Sequence, residues 1–210
     1  MTSAMRPNDE RSAELMRALV AGRQVALNEL MTLWEGPLLR FIFRYVQWEA
    51  GARDLVQETF VRVYLKRESF RPGTSFSTWA FTIAANLCRN QRRWQGRHPT
   101  LSLDDVTADA VTGHEQLACP RNGPDQAAVQ SERMDALKAV VAELPHDLRT
   151  TLLLYEYEGL SYREIAEVVG CSEKGVESRL SRARARLRKV LAPQLSAERP
   201  AQPLLLPQRG

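Results

Sequence analysis

Apolar side chains recur along most of this chain at spacings of three and four residues, the pattern of helices with one buried face. Leu15, Met16, Leu19 and Val20 make the first series, and Gly22 stands where a helix would stop. Leu27, Leu30, Met31 and Trp34 make a second. Gly36-Pro37 should then break the chain and open a new helix through Leu38, Phe41, Ile42 and Tyr45. From Ala52 to Leu65, residues Leu55, Val56, Thr59 and Val63 share one face. After an Arg71-Pro72-Gly73 loop, a long helix is expected from Phe76 to Trp94, with Phe76, Ile83, Leu87 and Trp94 inward. Helical patterning returns from Ala127 to Leu144-Pro145, then over His146 to Tyr157, Ser161 to Val169 and Glu173 to about Leu191. No useful length alternates with period two, so the fold class is all-α.

Composition divides the chain. Two helical domains are expected, over residues 10–96 and 127–191, joined by a linker over 97–126 and followed by a disordered tail over 192–210. Residues 99 to 130 hold five acids (Asp104, Asp105, Asp109, Glu115, Asp125) and one base, Arg121, among frequent Pro and Gly, which reads as a flexible acidic linker. The tail carries Pro193, Pro200, Pro203 and Pro207 around a Leu204-Leu205-Leu206 cluster.

With 44% apolar residues the 210-residue chain can build a core, and its net charge of +4 is mild. Cys88, Cys119 and Cys171 are scattered, and neither they nor His114 form a ligand set, so neither disulfide framework nor metal site is expected. No apolar run approaches the roughly 20 residues of a bilayer span. The polar N-terminus is no signal peptide, so a cytoplasmic protein without membrane insertion is expected.

The sharpest local signal lies between Ser161 and Leu191. Ser161 and Glu164 have capping-box spacing, and Ile165, Ala166 and Val169 face inward. Gly170 suits the left-handed residue that ends a helix, and Ser172 can cap the next. A short helix, a glycine turn and a longer helix make a helix-turn-helix. Val176, Leu180, Ala183, Leu187 and Val190 fall within about an 80° sector of the second helix. Lys174, Ser178, Arg182 and Lys189 lie opposite, flanked by Glu177, Arg179, Ser181 and Arg186. Residues 172 to 190 contain seven bases and two acids. A basic second helix of this kind enters the major groove, its first turns at base edges and later bases on phosphates.

The long first-domain helix has a second basic face. Thr82, Asn86, Arg89, Asn90 and Arg93 lie beside its apolar stripe, and residues 86 to 97 hold four arginines and no acid. Asparagine is a middling helix former, so Asn86 and Asn90 one turn apart suggest amides that meet bases. Trp79, Phe76 and Phe70 are candidate stacking surfaces for unpaired bases, with core packing the competing role for Trp79 and Phe76.

Several segments resemble the extracytoplasmic-function (ECF) sigma factors, the smallest members of the sigma-70 superfamily. They are Asp54-Leu55-Val56-Gln57-Glu58-Thr59-Phe60, Phe76-Ser77-Thr78-Trp79 and Ile83-Ala84-Ala85-Asn86-Leu87 in the first domain. In the second they are Leu144-Pro145, Glu158-Gly159-Leu160-Ser161-Tyr162-Arg163-Glu164-Ile165-Ala166 and Ser178-Arg179-Leu180-Ser181-Arg182-Ala183-Arg184. The resemblance implies sigma domain 2 over 10–96 and sigma domain 4 over 127–191. The first would bind the clamp helices of core RNA polymerase and capture the melted −10 element. The second would bind the polymerase flap and read the −35 element of promoter DNA as duplex, while the linker threads the RNA-exit path.

On that reading, Lys174, Glu177, Ser178, Arg179, Ser181, Arg182 and Arg186 meet −35 DNA. Trp79, Asn86, Arg89, Asn90 and Arg93 meet −10 DNA, and Asp54, Gln57 and Glu58 meet polymerase. The family often has Lys or Arg where this chain has Glu177, which can accept from cytosine N4 or orient Arg179 or Arg182. Many relatives are held by an anti-sigma factor, so one is a candidate partner, although no residue here demonstrates it.

Two other functions compete. An autonomous helix-turn-helix repressor or activator accounts for the second domain alone. An enzyme would need a phosphate loop, a metal cluster or an activated nucleophile, and the sequence presents none of these and calls for no cofactor.

Overall fold

The computed structural model describes residues 7–71, 73–97 and 124–196. Most of the acidic linker, and the tail beyond residue 196, lie outside the described residues. Among these residues there are eight α-helices and no strand. They are α1 (Pro7–Val20), α2 (Val25–Val46), α3 (Glu49–Leu65), α4 (Phe76–Arg97), α5 (Pro124–Glu143), α6 (His146–Glu156), α7 (Tyr162–Val169) and α8 (Glu173–Ser196). A 3₁₀ turn over Arg67–Ser69 precedes α4.

The first unit packs α2 against α1, α3 and α4. Its centre is aromatic: Phe41, Tyr45, Phe76 and Phe81 are fully buried, and Trp34 nearly so. Phe81 meets Trp34 and Phe41 edge-on at 6.2 and 5.4 Å, an arrangement that places positive ring edges on negative faces. The second unit sets α8 across α5, α6 and α7, with Leu144, Leu153, Leu154, Leu160, Ile165, Val176, Leu180 and Ala183 buried.

Four sequence expectations need correction. Gly36-Pro37 does not break the chain: α2 runs through it for 22 residues. Pro37 removes one helix hydrogen bond, but Leu30, Trp34, Leu38, Phe41, Ile42 and Tyr45 are buried on both sides of it and hold the helix as one piece. Trp94 and Val190 are not inward, being 49% and 45% exposed, because the helical period sets which side a residue takes and not how deeply it is covered. The final helix also continues past Leu191 to Ser196, so the tail's first residues are helical despite Pro193. One hydrogen bond lost near a helix end does not stop its last turn.

The two units pack on each other, α4 against α7 and α2 against α5 and α6. Arginines supply much of the polar contact. Arg149 is buried, and its Nη1 donates to Tyr45 O at 2.7 Å while its Nε donates to Val141 O at 2.7 Å. Arg92 Nη1 donates to Leu144 O at 2.6 Å. Tyr45, Val141 and Leu144 stand at the C-terminal ends of α2 and α5, where carbonyls lack helix partners and the dipole favours a cation. Tyr45 Oη shares a 2.8 Å hydrogen bond with His146 Nδ1. Burial, with Arg89, Arg92 and Arg149 nearby and Asp147 opposing, pushes the imidazole down to about 4.

Candidate nucleic-acid interface

In the second unit the helix-turn-helix forms by local chemistry. Glu164 N–H donates to Ser161 Oγ, while Ser161 N–H donates to Glu164 Oε2 at 2.8 Å, so each satisfies an orphan donor of the helix start. Gly170 stops α7 with φ of 65°, a left-handed conformation that costs glycine little. Gly175 N–H then donates to Ser172 Oγ at 3.2 Å, starting α8. Val176, Leu180 and Ala183 anchor α8 inward, so its opposite side must face solvent.

On that open side Lys174, Glu177, Ser178, Ser181, Arg182, Arg186 and Lys189 are exposed. Arg182 is held along its helix, Nε donating to Ser178 O at 3.2 Å. Arg179 differs: its side chain is only 18% exposed and turns to α6, with Nη2 3.5 Å from Asp147 Oδ2. Arg184 bridges back to Glu156 at 2.8 Å. The outward charge therefore centres on Lys174, Arg182, Arg186 and Lys189, with Glu177 the acid among them.

In the first unit, α4 buries Phe76, Phe81, Ile83, Ala84, Leu87 and Cys88, and this leaves Asn86, Arg89, Asn90 and Arg93 exposed on a common side. Thr82 is half-buried and donates to Thr78 O at 2.8 Å. Trp79 and Phe70 are half-buried and meet edge-on at 5.3 Å. Phe76 is fully buried, 5.4 Å from Trp34, so it belongs to the core and offers no stacking surface. On α3, Asp54 and Gln57 are exposed, while Glu58 accepts from Arg62 Nε at 2.7 Å.

The sequence reading missed Asp9. Its carboxylate is buried and accepts from Ser77 N–H at 2.9 Å, Ser77 Oγ at 3.0 Å and Ser75 Oγ at 2.9 Å, at the start of α4. The Ser-x-Ser before Thr78-Trp79 was a local sign of a helix start, but its partner lies 66 and 68 residues away. Among the described residues no group of three or more His, Cys, Asp or Glu could hold a metal ion, and no helix is long and apolar enough to cross a membrane.

Two helical units, each presenting a basic helix face, one of them in a helix-turn-helix, define an all-helical DNA-binding protein of transcription. Comparison with known proteins gives the family. Residues 30–98 match the family model Sigma-70 region 2, and residues 134–187 match Sigma-70, region 4. The chain is 34% identical over 188 residues to the RNA polymerase sigma-H factor of Pseudomonas aeruginosa, covering 89% of this chain and 96% of that one. It is 32% identical to the ECF RNA polymerase sigma-E factor of Haemophilus influenzae, over 85% of this chain and 94% of that one. Its structure is similar to that of the sigma factor RpoE of Bartonella quintana, crystallised with the anti-sigma factor NepR. The TM-score is 0.57 at 29% identity, over 79% of this chain and 96% of that one. This chain belongs to the sigma-70 family, as an ECF sigma factor that directs transcription initiation.

Proposed function

We propose that residues 10–96 form the unit that binds core polymerase and captures the melted −10 strand, and residues 127–191 the unit that reads the −35 duplex. The observation that carries this reading is the pair of open basic faces on α4 and α8 of one chain. On α4, Asn86 and Asn90 meet base edges, Arg89 and Arg93 hold the sugar-phosphate chain, and the half-buried Trp79 offers the stacking surface. On α8, Ser178, Ser181 and Arg182 meet base edges with Glu177 tuning which base is preferred, while Lys174 and Arg186 grip phosphates. Arg179 reaches DNA only by leaving Asp147. Asp54, Gln57 and Glu58 meet polymerase, with Glu58 exchanging Arg62 for a basic group of the partner.

The spacing of the two elements bears on the packing of the units. Positions −10 and −35 lie about 25 base pairs apart, roughly 85 Å of duplex at 3.4 Å per step. With α4 packed on α7, the two reading faces cannot span that distance. Reading both elements therefore requires the units to part on polymerase. The protein acts in the cytoplasm and catalyses no reaction of its own. The NepR complex of the Bartonella relative supports an anti-sigma factor as a regulating partner here as well.

The test is transcription from a genomic-fragment library by core polymerase, with and without this protein. A set of start sites sharing −10 and −35 sequences, present only with the protein, is expected. Nanomolar, site-specific duplex binding by the free protein at physiological salt would support an autonomous repressor or activator instead.

A further inference from the structure

Helix α1 carries no residue of the proposed DNA face, yet one of its buried polar side chains bonds the segment that leads into α4 and another bonds Trp34 of α2. Asp9 is 3% exposed, and its carboxylate collects the Ser77 N–H and the Ser75 and Ser77 hydroxyls. One turn along, Ser12 is fully buried and its Oγ accepts from Trp34 Nε1 at 2.8 Å. Trp34 in turn stands 5.4 Å from Phe76, the first residue of α4. The same segment is therefore held at its backbone by Asp9 and, through Trp34, at its aromatic side by Ser12.

What this arrangement controls follows from the neighbours. Ser75 caps α4 weakly, its Oγ accepting from Thr78 N–H at a long 3.4 Å while its hydroxyl donates to Asp9 at 2.9 Å. The carboxylate completes the cap from a distant helix and puts a negative charge at the positive end of the α4 dipole. Phe70, which follows the 3₁₀ turn, stands 6.2 Å from Phe76, the first residue of α4. Phe70 also meets Trp79 edge-on at 5.3 Å, and both rings are half-buried. An unstacked base is captured only by a surface of fixed shape, and a displacement of about half an ångström is enough to weaken such a surface.

We propose that Asp9 is a positioning residue for −10 strand capture: it fixes Ser75 and the first turn of α4, so that Trp79 and Phe70 stand ready before DNA arrives. This rests on the reading of α4 as the −10 face. Asp9 touches no DNA itself and acts through Ser75 and Ser77.

The experiment compares Asp9→Ala, Asp9→Asn and Asn86→Ala, each as full-length protein bound to core polymerase on a promoter taken from the library. Three quantities are read for each: the Kd for core polymerase, the affinity for −35 duplex, and open-complex formation by permanganate footprinting at saturating polymerase. For Asp9→Ala, core and −35 affinities stay within about twofold while opening falls by about tenfold or more, the size expected from losing hydrogen bonds to a charged group. For Asp9→Asn, opening recovers to within about threefold, because the amide still accepts from Ser77 N–H and donates to one hydroxyl. Unchanged opening in Asp9→Ala, or a fall matched by equal losses in core affinity and melting temperature, would overturn the proposal. If Asp9→Ala does not fold, Ser75→Ala and Ser77→Ala each remove part of the cluster, and normal opening in both has the same force. Asn86→Ala separates the two readings: if it opens promoters normally while Asp9→Ala does not, the α4 asparagines fail as readers and the brace stands. The converse result removes the brace alone.

Discussion

Arg149 offers the most direct measure of what holds the two units together. Its guanidinium closes two helix C-termini from different units, donating to Tyr45 O of α2 and Val141 O of α5, and it lies 4.8 Å from the centre of the Tyr45 ring. Replacing it with Met keeps the stem and removes the donors. Tyr45 O, at the last turn of α2, would then be buried without that partner, a loss of about 1–3 kcal/mol. Val141 O keeps the Leu144 N–H at 3.2 Å, so its loss is smaller, about 1 kcal/mol. The ring contact adds about 0.5–1 kcal/mol. Against these stands the relief of an ion kept from water, whose pKa burial and the nearby Arg92 have already lowered to about 10. The net is expected to be destabilising by about 2–3 kcal/mol. At about 2–4 °C per kcal/mol for a chain of this size, Arg149→Met should melt roughly 4–12 °C below the parent. Arg149→Lys, which keeps the charge without the two-pronged geometry, should fall between them. The measurement is thermal unfolding of the full-length protein at pH 7.5. An unchanged or raised melting temperature would show that desolvation cancels the Arg149 hydrogen bonds and that the other contacts between the units hold them together.

Three further outcomes are expected. Gly170→Ala introduces a side chain at a φ of 65° with no atom in its way, so it should destabilise by about 1–2 kcal/mol through backbone strain alone and shift the urea midpoint without changing m. His146 is held well below the ordinary 6.5, at about 4, so its neutral form is the one the fold favours. Its contribution should be complete above about pH 6.5 and be lost as pH falls through about 4, and His146→Gln should flatten the melting temperature over that window. Arg182→Ala should cost about 1–3 kcal/mol and relax preference at one −35 position, whereas Glu177→Lys should change which base is preferred there. If both variants keep the parental ranking of all single-base −35 changes, the outward face of α8 is misassigned.

Much of this protein was legible before any coordinates because its signals are local. A capping box needs only Ser161 and Glu164, a helix stop needs only Gly170, and the buried stripe of α8 needs only the 3.6-residue period through Val176, Leu180 and Ala183. Exposure of Asn86, Arg89, Asn90 and Arg93 follows in the same way, since the apolar stripe of α4 leaves them nowhere else to go. Where a local rule and the tertiary packing disagree, packing decides. Pro37 is a strong local breaker, yet three buried side chains before it and four after it keep α2 continuous. Trp94 and Val190 obey the helical period and are nonetheless half-exposed, because periodicity says which side a residue takes and not how far the neighbouring helix reaches.

Polar partnerships across long separations were invisible for a different reason. A carboxylate, an imidazole or a guanidinium carries no mark in the sequence of the group it will meet. Asp9 on Ser75 and Ser77, His146 on Tyr45, Arg149 on two helix ends and Arg179 on Asp147 exist only because folding brings separate helices together. The amino-acid sequence by itself determined that the chain is helical, that it has two units and which faces are basic. The tertiary structure alone decided which of those charges stay exposed, and which are already committed to holding the fold.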